Sequence, residues 1–111
     1  MERDYLRQIS DTIIAQMGGA HRLMVMVGAD SFVYGETDYE GFKQPMTYFC
    51  FKMNHKMNVC KVIYNQGLDT YVMQFIKATK NGMKVVKEYT DVFCDDLISL
   101  FEDTTGLYLF L

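Results

Sequence analysis

Three cysteines, two histidines and several paired acids are the side chains of this sequence that chemistry could use. Their spacing decides which chemistry is open to them. Zinc sites are built from ligands two to four residues apart, because tetrahedral coordination starts from local knuckles. Cys50 and Cys60 are ten apart, and His21 and His55 have no cysteine beside them. Core cysteines are the expectation, with no metal. A nucleophilic thiolate needs a helix N-terminus or a cationic neighbour. Cys50 sits mid-run in a strand-like segment, whereas Cys94 opens a helix-like one but has Asp91, Asp95 and Asp96 around it, and carboxylates disfavour a thiolate. The pairs Asp95-Asp96 and Glu102-Asp103 are adjacent on a helical pattern, so their side chains diverge and form neither an acid/base pair nor a magnesium site. Gly18-Gly19 and Gly28-Ala29-Asp30 lack the spacing of phosphate-cradling loops. The expectation is a protein that is not an enzyme and takes no cofactor.

Charge is the more informative signal. Residues 1 to 40 hold three Arg against seven acids, residues 41 to 87 hold eight Lys against Asp69 alone, and residues 88 to 111 hold six acids and no base. The formal net charge of −3 therefore conceals segments of −4, +7 and −6. Such asymmetry marks either a surface for an anionic partner or acidic helices solvated beside a basic sheet.

The elements that carry these charges follow from periodicity. Leu6, Ile9, Ile13 and Met17 recur at helical spacing and Gly18-Gly19 stops the helix. His21 to Gly28 is almost continuously apolar and short, which predicts a buried strand paired with Ser31 to Gly35. Residues 36 to 45, with Glu36, Asp38, Glu40, Gly41 and the one Pro, predict a solvated loop. Strands are predicted over 46–53, 58–64, 70–77 and 83–88, rich in β-branched and aromatic residues and separated by turns at 54–57, 65–69 and 79–82. A helix is predicted from Asp91, capped by Thr90 or Asp91, with Val92, Phe93, Leu97, Leu100 and Phe101 on one stripe and Gly106 as its stop. The tail 107–111 is apolar enough to dock on the core or on another subunit.

With 111 residues, half of them apolar, the chain fits one domain, 1–111. No apolar run is long enough to span a bilayer and the first ten residues are charged, so a cytoplasmic protein with reduced thiols is expected. The fold expected is α+β: an antiparallel sheet of five to six strands with an N-terminal and a C-terminal helix on one face. The expected core comprises Leu6, Ile9, Ile13, Leu23, Val25, Val27, Phe49, Phe51, Val62, Phe75, Phe93, Leu97 and Phe101.

Met17-Gly18-Gly19, Leu23 to Ala29 and Phe32, together with Asp91-Val92-Phe93, Leu97, Phe101-Glu102 and Thr105 to Tyr108, resemble a group of small uncharacterised proteins encoded by phages and prophages of gut bacteria. The likeness spans most of the chain, but its motifs are structural. It implies a context, a mobile-element accessory protein in a bacterial host, and no activity.

Two functions from different classes fit these readings. The first is a non-catalytic protein that binds another protein or itself. Both faces of the strands are largely apolar, and two helices cover only one, so the other must meet a partner, a second copy or a crossing helix. The second is a nucleic-acid-binding module, because Tyr48, Phe49, Phe51, Tyr64, Tyr71 and Phe75 interleave with lysines as in a stacking platform. An acidic chain without arginine in the sheet speaks against it. In either case meander geometry predicts the binding surface. Alternate turns share one end of the sheet, so Lys52, His55, Lys56, Lys77, Lys80 and Lys84 should gather there as a site for an anionic partner, unless lysines at strand ends serve only to discourage edge pairing.

Overall fold

The first helix, α1 (Arg3–Gln16), buries Leu6, Ser10 and Ile13, one side of a helix with polar residues around the rest. It stops where Gly18 and Gly19 take φ of 104° and 95°, conformations open to glycine. In the computed structural model, which describes residues 1–109, a second helix follows at once. This is α2 (Ala20–Val27), closed by Gly28 in the left-handed region. A strand was the expectation for this run. A continuous apolar stretch has no period to distinguish the two, and here Leu23 and Val27, one helical turn apart, take the buried positions while Val25 is 66% exposed. Val25 is therefore not a core residue.

Five strands follow, β1 (Asp30–Tyr39), β2 (Phe42–Asn54), β3 (Met57–Asn65), β4 (Thr70–Thr79) and β5 (Gly82–Val92). They form one antiparallel sheet in the order β1-β2-β3-β4-β5. The fold is α+β, with the sheet flanked by helices from both termini. Residues 36–45 are not a loop: Glu36 pairs with Pro45, Asp38 with Lys43 and Tyr39 with Phe42 across a two-residue turn, Glu40-Gly41. Acids are as well solvated on an edge strand as in a loop, which is why composition alone misled. Nor does Ser31–Gly35 pair with 21–28; it belongs to β1 and pairs with β2.

The last helix also starts later than its apolar stripe implied. β5 runs on to Val92, which pairs with Tyr71, and a 3-10 turn (Cys94–Asp96) leads into α3 (Leu97–Thr105). Thr90 and Asp91 therefore lie in a strand and cap nothing, and Phe93, in the link, is 60% exposed. Gly106 ends α3 as expected, in the left-handed region.

One face of the sheet, with Thr47, Phe49, Phe51, Cys60, Val62, Tyr71, Met73 and Phe75, is covered by all three helices. Ser10 of α1 donates to Thr47 (2.9 Å), Leu23 and Val27 of α2 join the same cluster, and the Phe101 ring of α3 meets those of Phe49, Phe51 and Phe75 at 5.3–6.2 Å. Leu109 is buried against this core, and its N–H donates to Glu102 Oε2 at 2.9 Å. The tail thus docks within the chain as far as Leu109; Phe110 and Leu111 lie outside the described residues.

The other face buries Val59, Ile63, Val72 and Ile76 with no helix over them. The sheet itself encloses them. Tyr39 of β1 lies beside Glu88 and Asp91 of β5, although a flat sheet would hold these edge strands about 19 Å apart, four spacings of about 4.8 Å. The sheet is coiled toward a half-closed barrel, its right-handed twist accumulating over five long strands. The curvature of the sheet accounts for the burial of these side chains within the chain.

Candidate functional site

Register fixes where the lysines go. β2 and β3 turn at His55-Lys56, between paired Asn54 and Met57, and β4 and β5 turn at Lys80-Asn81, between paired Thr79 and Gly82. Both turns lie at the same end of the sheet, because two strands, β3 out and β4 back, separate them. Two strand spacings put the tips about 10 Å apart. Lys52, His55, Lys56, Lys77, Lys80 and Lys84 are all exposed at this end, as the meander geometry requires.

The turn at 54–57 is held unusually. His55 and Lys56 both have positive φ, 49° and 65°, a two-residue hairpin turn built without glycine. Its support comes from α3, where the Asn54 amide donates to the Thr105 carbonyl and the His55 imidazole lies over Gly106. A Cβ on Gly106 would come within 3.0 Å of His55 Nε2. His55 is thus a buttress between hairpin and helix rather than a free member of the lysine group. The turn at 79–82 is pinned by the Thr79 hydroxyl, which accepts from Asn81 N at 3.2 Å.

The lysines are set against one another. Lys77 and Lys84 face each other directly across β4 and β5, and like charges in that position repel. Among the described residues the ion pairs are the N-terminal amine with Glu36 (3.5 Å) and Lys43 with Asp38 (3.4 Å), so Lys52, Lys56, Lys77, Lys80 and Lys84 have no carboxylate partner.

Sequence reasoning missed what the opposite end carries. The turns Glu40-Gly41 and 65–69 and the end of β5 meet there, bringing Asp38, Glu40, Asp69 and Asp91 together, with Asp95 and Asp96 in the following 3-10 turn. Tyr39-Glu40-Gly41-Phe42, two aromatic residues around a glycine-containing pair, was the signal that could have revealed the hairpin. A cleft of about 420 Å³ opens between the turns at 40–41 and 65–69, walled by Phe42 and Leu68. The acids act on the tyrosines nearby. Tyr64 donates to Asp69 at 2.6 Å, and that bond, with burial second, pushes its phenol up to about 12. Burial first, then the Glu88 and Glu40 carboxylates, raise Tyr39.

The coiled face holds one polar row, Tyr48, Lys61, Gln74 and Glu88, cross-strand neighbours in register. Lys61 Nζ donates to Thr37 at 3.1 Å, and burial lowers its pKa.

The cysteines do not converge. Cys60 pairs with Phe49 and faces the helices, while Cys50, one residue on, faces the other side. Burial raises the Cys60 thiol far above its ordinary range. Among the described residues no three His, Cys, Asp or Glu side chains form a group able to hold a metal ion, and no helix is long and apolar enough to cross a membrane. The aromatic residues proposed for base stacking are divided: Phe49, Phe51, Tyr71 and Phe75 are buried, and Tyr48 and Tyr64 half-buried. Comparisons with protein-family models, with curated proteins and with solved structures find no match to this chain.

Proposed function

We propose that this protein is a non-catalytic binding module whose lysine-bearing end docks an acidic protein surface, and that it serves as an accessory protein of a phage or mobile element in a bacterial cytoplasm. The observation that carries the binding reading is the group of five exposed lysines at one end of a rigid sheet, with no carboxylate partner among the described residues. Lysines that served only to keep turns soluble would gain from neighbouring acids; here Lys77 and Lys84 are placed opposite each other at a cost in repulsion. A partner carboxylate surface relieves that repulsion on docking. The same end could meet a phosphate backbone, but burial of four of the six aromatic side chains leaves that reading the lysines alone.

Fluorescence anisotropy with a labelled Asp/Glu-rich peptide, and with single- and double-stranded DNA, at low and moderate salt tests this. The peptide should bind, and Lys56→Glu with Lys80→Glu should weaken it at least tenfold with the melting temperature nearly unchanged, since turn tips add little to the core. Peptide binding that survives the double reversal removes the lysine end from the function. DNA bound more tightly than the peptide, with the steep salt dependence of counterion release, replaces the protein partner by nucleic acid.

A further inference from the structure

Resting on the reading of the lysine end as a docking surface, the geometry points to the opposite end of a second copy of this chain as its acidic partner, so that copies join head to tail. Both halves of the contact are present on one molecule. At the basic end Met83, 66% exposed, stands beside the tip of the β4–β5 turn between Lys80 and Lys84. At the acidic end lies the cleft of about 420 Å³ whose walls, Phe42 and Leu68, are 71% and 63% exposed. Glu40 and Lys43 line it, Lys43 pairing with Asp38 at 3.4 Å, and Asp69 and Asp91 on the same end of the sheet keep the acids in excess there. An unbranched methionine flanked by two lysines matches a cleft with apolar walls and carboxylates around it, in both shape and charge.

Other modes of self-association fit less well. A symmetric contact through the basic ends would bring two sets of lysines together, and one through the acidic ends two sets of acids. Edge-to-edge strand pairing is blunted on both sides. β5 has irregularities between Tyr71 and Met73 and between Phe75 and Ile76 of its partner and carries Lys84 and Lys87, while β1 is irregular between Asp30 and Val33. A knob and a cleft at opposite ends give a heterologous contact, which leaves a free knob and a free cleft after each addition and so propagates.

Sedimentation velocity over a concentration series, at about 0.05 M and about 0.5 M salt, reads the outcome. Two variants with exposed substitutions are needed, Lys80→Glu with Lys84→Glu at the basic end and Asp38→Lys with Glu40→Lys at the acidic end. The wild-type mass should rise with concentration at low salt and fall to that of one chain at high salt. Each variant alone should stay a single chain, because it has lost one half of the contact. Mixed in equal amounts they should associate, since the intact cleft of the first receives the intact knob of the second and the two reversed ends are again opposite in charge. Met83→Asp should also stay a single chain. A wild-type chain that is monomeric throughout, a variant that associates by itself, or a mixture that does not associate overturns the inference. If the chain is monomeric yet still captures the acidic peptide through its lysines, the head-to-tail contact falls and the binding reading stands.

Discussion

Each thiol of this chain is set by which side of a strand or turn it occupies. Cys60 faces the helix-covered core, Cys50 is half-buried on the other face and Cys94 is exposed in the 3-10 turn. With a thiol reagent such as Ellman's under native conditions, Cys94 should react first and Cys50 more slowly, with Cys60 reacting only on unfolding. A fast-reacting Cys60 in a Cys50→Ser, Cys94→Ser background would show that the core is not closed as described. Tyr64 gives a second test. Its phenol is raised from 10.0 to about 12 by the bond to Asp69 and by burial. The folded state therefore holds this proton more tightly than the unfolded chain, and the associated stability is complete below pH ~10 and lost as pH rises toward ~12. Denaturant melts from pH 9 to 12 should show this loss, and Tyr64→Phe should flatten it. An identical alkaline slope in the variant would exclude Tyr64 as its source.

The helices differ from their sequence patterns in where burial falls. Phe101 touches three core rings while Phe93 stands in the link before α3. Phe101→Ala should cost roughly 3 to 5 kcal/mol, whereas Phe93→Ala should stay within about 0.5 kcal/mol. Equal losses of stability in chemical denaturation would place Phe93 in the core after all. The end of α3 is the other sensitive point. Gly106 has φ of 72° and the His55 imidazole against it, so Gly106→Ala meets both backbone strain and a clash, and should cost roughly 1 to 3 kcal/mol. Adding His55→Ala should return part of that loss by freeing the space. No recovery in the double variant would mean that the hairpin does not buttress the helix.

Across the whole molecule the dominant feature is charge separation along the strands. A ten-residue strand such as β4 spans about 33 Å, some four Debye lengths at physiological salt. The two ends therefore do not neutralise each other, and each keeps its internal repulsion, with Lys77 opposite Lys84 at one and Glu40, Asp69 and Asp91 at the other. Salt should screen both. Raising NaCl from about 0.01 M to about 0.2 M should increase the melting temperature by a few degrees. A melting temperature that falls over this range would show attractive pairs outweighing the repulsion. At low protein concentration this effect separates from self-association, which acts in the opposite direction with salt.

Local rules were enough to determine much of this protein from its sequence. The stripe Leu6, Ile13 and Met17 with two glycines after it specifies α1, alternation with short polar turns specifies the meander, and the parity of antiparallel connections sends Lys56 and Lys80 to one end. These features depend on neighbours in the chain, so the chain displays them. Tertiary structure alone decided the rest. The run from Ala20 to Val27 became a helix because the core presented a surface for Leu23 and Val27 and left Val25 outside. Residues 36–45 became a hairpin because they continue the longer β1–β2 ladder, Glu36 to Tyr39 pairing with Phe42 to Pro45. Val59, Ile63, Val72 and Ile76 are buried without a helix because the sheet coiled until its edges met near Tyr39 and Glu88. Twist accumulated over five strands is a property of their packing, and no window of sequence contains it; that same closure brought Asp91 of β5 beside Tyr39 of β1.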